Sequence, residues 1–399
     1  MKIKYLFLMI VAGLFAASCD GDDNITPSQA VADTYNGYTW TSFFNGAYTQ
    51  LSENETVSVT ANEDGTITVT YTSSTWGTST ISAATVIAGT NSYTISGTGT
   101  SAITSHSTGT VNNYDCTLTG TISTDKSDVE FVFTLPAVMQ GTTITFHKGD
   151  APDHMVVAGS YSSYSTASFT HGSMVSNNES ITLKANTENG TVDLAYSGTW
   201  GTGTATGLEV SKNNGSYTVN GSGTTVVSGH SGSASNYAFT VEGAISEDKS
   251  TASFVLTIEM GAMGTVTVTT GLGYASPALF LPDTYNGYTD MDSGYFKDRI
   301  TADQAITITG NEDGTVNVAY GDNTISKVEA KVNAEGIYTL SGQGVYAISM
   351  SGPPSNYDCT LTGTINADKS EVEIIFTLPA VMQGTTITFH KGDAPVTTE

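Results

Sequence analysis

Apolar and polar residues alternate with a period of two through most of this chain beyond residue 32. Thr56-Val57-Ser58-Val59-Thr60 alternates, a Gly-containing turn follows, and Thr66-Ile67-Thr68-Val69-Thr70-Tyr71 alternates again. Residues two apart on a strand share a face, so this pattern and its turn predict a β-hairpin. Further on, Tyr114, Cys116, Leu118 and Ile122 fall on one face, with Asp115, Thr117 and Thr119 on the other. After the turn Asp125-Lys126-Ser127 come Val129–Leu135 and Thr142–Phe146. With an opening segment and two strands between residues 78 and 105, this part of the chain holds about eight short strands. No stretch shows helical periodicity of useful length. Sequential short strands with tight turns predict an all-β, up-and-down meander. Eight of them close into a barrel with an apolar side inward and a Thr/Ser side outward. The rival architecture is a series of β-sandwich modules, although no Trp and Cys arrangement of the immunoglobulin kind is visible.

The pattern occurs three times. Asn113–Ile122 recurs as Asn356–Ile365, and a weaker copy runs from Asn236 to Ile245. The next turn returns as Asp248-Lys249-Ser250 and Asp368-Lys369-Ser370, and the opening Thr34–Thr39 returns as Thr284–Thr289. The stretch FTLPAVMQGTTITFHKGDAP stands at Phe133–Pro152 and again at Phe376–Pro395, where it closes a module. A spacing of about 120 residues suits a self-sufficient domain and is too long for a solenoid unit. The modules are expected at 32–152, 153–278 and 279–399.

The N-terminus changes the picture of location. Lys2 and Lys4 precede an apolar run from Tyr5 to Ala17, too short to span a membrane comfortably. Ala16-Ala17-Ser18-Cys19 resembles a lipobox, in which the cysteine is acylated, with palmitate among the chains, and becomes the mature N-terminus. Residues 1–18 are thus read as a lipoprotein signal peptide and 19–31, opening on Asp20-Gly21-Asp22-Asp23, as an acidic tether. An outer-membrane lipoprotein of the cell envelope, exposed at the cell surface, is the expectation. Lys plus Arg number 13 against 38 acidic residues, for a net charge of −25. Such a chain repels phosphate backbones, which argues against nucleic acid as a partner. Cys116 and Cys359 occupy one position in two copies and Phe239 holds it in the third. A position that takes Cys or Phe reads as buried and apolar.

The set of motifs resembles the calycin-like β-barrel domain found in lipoproteins of gut Gram-negative bacteria. The resemblance rests on TYNGYT at the module opening, NEDGT in the first hairpin, YTISGTG at Tyr93–Gly99 and YTLSGQG at Tyr338–Gly344, CTLTGTI, and the ITF ending. It covers all three modules. It implies a lipocalin-like barrel with a small-ligand cavity, and no established activity. The Gly-x-Trp signature of lipocalins themselves is absent: Gly37-Tyr38-Thr39-Trp40 has another spacing, and Asp290 replaces the tryptophan in module three.

Candidate chemistry is sparse. No nucleophile elbow and no His or Cys pair with zinc-ligand spacing occurs, so neither a hydrolytic site nor a cofactor or metal is expected. Asp and Asn clusters at hairpin tips read as turn formers. Trp76 and Trp200 share the motif Thr-Trp-Gly-Thr, and His106 and His230 share a later one. Both pairs are missing from module three, where Met350 replaces the histidine. An aromatic face with an imidazole is a plausible ligand contact, so these four residues are the candidate site. His147-Lys148 and His390-Lys391 read as solvated strand edges. The expected protein is a monomeric, non-enzymatic binding lipoprotein, anchored through Cys19, that takes small apolar, amphipathic or glycan ligands. The competing expectation is a multivalent surface-interaction, adhesive or spacer protein without a small ligand.

Overall fold

The computed structural model describes residues 25–105, 108–228, 234–261, 264–349 and 353–395. The chain divides into two compact units, one ending at Ala151 and one beginning at Pro152. The first holds helix α1 (Pro27–Val31) and strands β1 (Asp33–Phe43), β2 (Tyr48–Ala61), β3 (Ile67–Ser73), β4 (Gly77–Ala88), β5 (Ser92–Thr104), β6 (Val111–Ser123), β7 (Val129–Leu135) and β8 (Thr142–Lys148). Each strand pairs with the next, and β1 also pairs with β8, which closes a barrel. Closure gives every strand two neighbours and leaves no free edge, so the sandwich alternative fails.

The second unit contains two further barrels of the same kind. One follows helix α2 (Asp153–Val156) and comprises β9 (Gly159–Phe169), β10 (Gly172–Asn186), β11 (Thr191–Gly198), β12 (Gly201–Asn213), β13 (Ser216–Ser228), β14 (Ala234–Ser246), β15 (Ala252–Glu259) and β16 (Thr265–Leu272). The other follows helix α3 (Pro277–Phe280) and comprises β17 (Asp283–Ser293), β18 (Arg299–Gly310), β19 (Val316–Tyr320), β20 (Asn323–Val332), β21 (Tyr338–Ile348), β22 (Ser355–Ile365), β23 (Val372–Leu378) and β24 (Thr385–Lys391). Among the described residues no helix is long and apolar enough to cross a membrane.

The alternation seen in sequence is the inside–outside code. On β7, Val129, Phe131, Phe133 and Leu135 are buried while the residues between them are not. Gly120 interrupts the inward face of β6 because a Cβ there would lie 2.7 Å from the Phe131 ring. The same glycine recurs as Gly243 against Phe254. Cys116, Phe239 and Cys359 are all buried, both thiols are free, and burial pushes each up to about 11.

The short helices had no counterpart in the sequence reading. Helix α1 lies inside the stretch read as an acidic tether. Thr26 caps it: its hydroxyl accepts from the Gln29 backbone N–H at 3.3 Å, and the Gln29 side chain accepts from the Thr26 backbone at 3.0 Å. Val31 at its end is fully buried in the barrel core. The Tyr35 hydroxyl donates to the Val31 carbonyl at 2.7 Å. Tyr161 repeats this bond to Val157 at 2.7 Å and Tyr285 to Leu281 at 2.8 Å. In each barrel a helical turn is therefore tied down at the end where the first strand begins.

Candidate functional site

In a meander barrel alternate turns fall at one end. The β1–β2, β3–β4 and β7–β8 turns thus lie opposite α1. Trp76 sits in the β3–β4 turn, 4 % exposed, its ring tilted on Phe43 at 5.6 Å. Trp200 occupies the same turn in the second barrel and leans on Phe169 at 5.7 Å. Each indole N–H is buried without a hydrogen-bond partner. His106 and His230 fall outside the described residues, as do Cys19 and Met350. The strands flanking the two histidines, β5 with β6 and β13 with β14, run to this same end.

An aromatic rim surrounds Trp76. Phe43 stacks on Tyr48 at 5.8 Å, and Phe44 meets Tyr48 edge-on at 5.8 Å. Phe44 and Tyr48 are exposed. Phe44 has φ of 52°, a left-handed conformation that costs a bulky residue energy. Its N–H donates to the Met139 carbonyl at 2.9 Å, which ties the β1–β2 turn to the β7–β8 turn.

Beneath the rim the barrel interior is polar. In the first barrel Thr39 and Thr41 point inward on β1, opposite Phe146 and Ile144 of β8. Glu55 on β2 faces Gly37, is 9 % exposed, and holds one weak bond, from the Ser73 hydroxyl at 3.3 Å. Burial raises its carboxyl above the usual range, a shift that Tyr71 and Ser73 partly oppose. The Tyr71 hydroxyl interacts with Ser73, Thr39 and Glu55 but meets none of them in hydrogen-bond geometry. Deeper still, aromatic side chains fill the barrel. Tyr71 stacks on Phe133 at 5.4 Å, and Phe131 lies 6.1 Å from Tyr35 and 6.2 Å from Phe146.

The other barrels answer the same position differently. In the second, Glu179 accepts from Tyr196 at 2.7 Å, from Ser165 at 3.0 Å and from the Thr199 backbone at 3.2 Å. In the third, Gln304 accepts from Tyr320 at 2.7 Å. The sequence reading missed this acid or amide because it began the strand at Thr56. One more step of the alternation puts Glu55 on the face of Val57 and Val59.

The remaining candidates lie elsewhere. His147 stacks on Tyr38 at 5.2 Å with Glu130 at 3.7 Å, and His390 repeats this with Tyr288 and Glu373. These are exterior ladders across three strands. Asp64 is spent on its own turn, accepting from the Thr66 N–H at 3.0 Å and its hydroxyl at 2.6 Å. Asp290, Asp292 and Asp298 approach one another in the third barrel, where Lys297 pairs with Asp292 at 3.1 Å.

Comparison with known proteins agrees with this architecture. The family model described as calycin-like beta-barrel domain matches residues 31–150, 157–271 and 282–393. No curated protein matches the chain. Among solved structures, a Bacteroides fragilis NCTC 9343 protein described as a "putative outer membrane protein" is 22 % identical, with 62 % of this chain and 99 % of that one covered and a TM-score of 0.49. Transferrin binding protein B from serogroup B Neisseria meningitidis is 11 % identical, covering 90 % of this chain and 76 % of that one, with a TM-score of 0.20. A double mutant of transferrin binding protein B from Haemophilus parasuis Hp5 is also 11 % identical, with coverages of 90 % and 75 % and a TM-score of 0.20.

Proposed function

The chain belongs to the calycin-like β-barrel domain family, and from that premise we propose that it is a non-enzymatic, envelope-anchored lipoprotein. Its barrels take small apolar, amphipathic or glycan ligands at the end marked by Trp76 and Trp200; His106 and His230 complete the candidate set on the strength of the sequence alone. One observation carries this reading. Two barrels hold an indole N–H in the same turn, buried and without a partner. Buried donors are nearly always satisfied, so a repeated orphan calls for an acceptor from outside the chain. Aromatic packing in the deeper half favours a ligand held near the mouth. The same packing favours the second reading, a multivalent surface or spacer protein whose barrels are filled by their own side chains.

Indole N–H resonances distinguish the two. Titration of the purified chain with envelope lipid and glycan extracts should shift the Trp76 and Trp200 signals and leave Trp40 unmoved. Shifts in none of them would favour the spacer reading. Location rests on the sequence around Cys19. Stable anchoring takes more than one acyl chain, and a lipidated cysteine supplies them. Cys19→Ala should release the protein into soluble fractions or stall its processing, and unchanged membrane retention would remove the lipoprotein reading.

A further inference from the structure

We propose that the polar interior of the first barrel is a binding site for the ammonium group of a small amphipathic amine, an inference that rests on ligand entry at the Trp76 end. Five buried polar atoms there lack a partner: the hydroxyls of Thr39, Thr41 and Tyr71, Oε2 of Glu55 and Nε1 of Trp76. Each belongs to a side chain nine-tenths buried or more. They lie on β1, β2, β3 and the turn that follows, so one end of one barrel holds them all. The second barrel, although its Trp200 Nε1 and Thr191 hydroxyl are also without partners, satisfies the acid at the same position, where Tyr196, Ser165 and Thr199 use both oxygens of Glu179.

The charge of the guest follows from Glu55. No ion pair among the described residues includes it. A buried carboxylate needs a counter-charge or several donors, and here it has one long bond. An ammonium supplies both, with three N–H donors for Glu55, Thr39 and Tyr71 as acceptors. A neutral alcohol leaves the charge unmatched, and an anion adds to it. Trp76 offers a donor, so the guest also carries an acceptor such as a hydroxyl near its nitrogen. Phe43 and Tyr48 give its apolar remainder a wall at the rim. The third barrel, with neutral Gln304 bonded to Tyr320, makes no such demand.

Leucinol, its diol analogue and leucic acid share one carbon frame and carry an ammonium, a hydroxyl or a carboxylate. Calorimetry on the purified full chain should show leucinol binding at least about tenfold more tightly than the other two, with a shift of the Trp76 indole N–H. Glu55→Gln, a residue this fold already accommodates at Gln304, should abolish the preference. Equal binding of all three probes, or a preference that survives Glu55→Gln, would overturn the amine assignment while leaving ligand entry intact. If no probe of any charge binds or moves Trp76, the entry reading falls together with the assignment. The probe comparison in the unaltered chain decides the matter whatever the variant does.

Discussion

Glu55, Glu179 and Gln304 stand at one position in three copies, and the differences among them carry most of the chemistry in this chain. Glu179 is locked by Tyr196, Ser165 and Thr199. Removing it orphans three donors, so Glu179→Ala should destabilise the second barrel by about 1–3 kcal/mol, read from urea denaturation. Glu55 should behave in the opposite way. Burial raises its folded pKa above the unfolded value of about 4.3. The stability tied to its neutral form is therefore full below that value and lost as pH rises through the folded pKa. Glu55→Gln should stabilise residues 25–151 by about 1 kcal/mol at neutral pH. The gain should shrink toward about pH 4, where the native side chain is also neutral. A gain independent of pH would assign the effect to packing. The two tryptophans were legible in sequence because Thr-Trp-Gly-Thr recurs at a turn. The acid below them was not, since a charged residue at the start of an apolar alternation looks like the end of a strand.

At the scale of elements, strands announced themselves and helices did not. Period two needs only a few residues to show, as in Val129–Leu135, whereas the five residues of α1 make little more than one helical turn. A signal was nevertheless present: Thr26 and Gln29 form a capping box, and Pro27 is the first residue of the helix. The hairpin tips were read correctly as turns. Asp125 accepts from the Ser123 hydroxyl at 2.7 Å, and from the Ser127 backbone at 3.0 Å and hydroxyl at 2.8 Å. These bonds pull its carboxyl down to about 2, and the same arrangement at Asp248 does likewise. A depressed folded pKa gives stability that is present above the unfolded value of about 3.9 and lost as pH falls through the folded one. Asp125→Asn with Asp248→Asn should flatten the fall in melting temperature between about pH 4 and pH 2. An acid limb as steep as in the parent would show that these turns open before their aspartates protonate.

At the scale of the whole molecule, the repeat reads as three equal barrels, yet the chain forms two compact units. The reason lies at a bulge in β10, where the register shifts between Ser176 and Glu179. Asn177 leaves the second barrel there. Its amide donates to the Tyr338 hydroxyl at 2.8 Å and its oxygen accepts from the Ala275 N–H at 2.8 Å. The Tyr338 hydroxyl in turn donates to the Ala275 carbonyl at 2.8 Å, and its ring stacks on Phe280 at 4.9 Å. Tyr164 and Val175 of the second barrel also pack against the core of the third. In sequence this junction was invisible, because Ser176-Asn177-Asn178-Glu179 looks like any polar turn. Residues 152–395 should therefore melt as one cooperative unit. Asn177→Ala strips partners from Tyr338 and the Ala275 N–H, a loss of about 1–3 kcal/mol concentrated at the junction. Asn177→Asp tests the chemistry more sharply. An aspartate, of the same length, keeps the acceptor for Ala275 but has no N–H for a tyrosine whose own proton is already committed. Both variants should split the calorimetric transition into two, with Asn177→Asp at least as disruptive as Asn177→Ala. A single sharp transition in both would place the coupling in the apolar contacts of Tyr164 and Val175 instead.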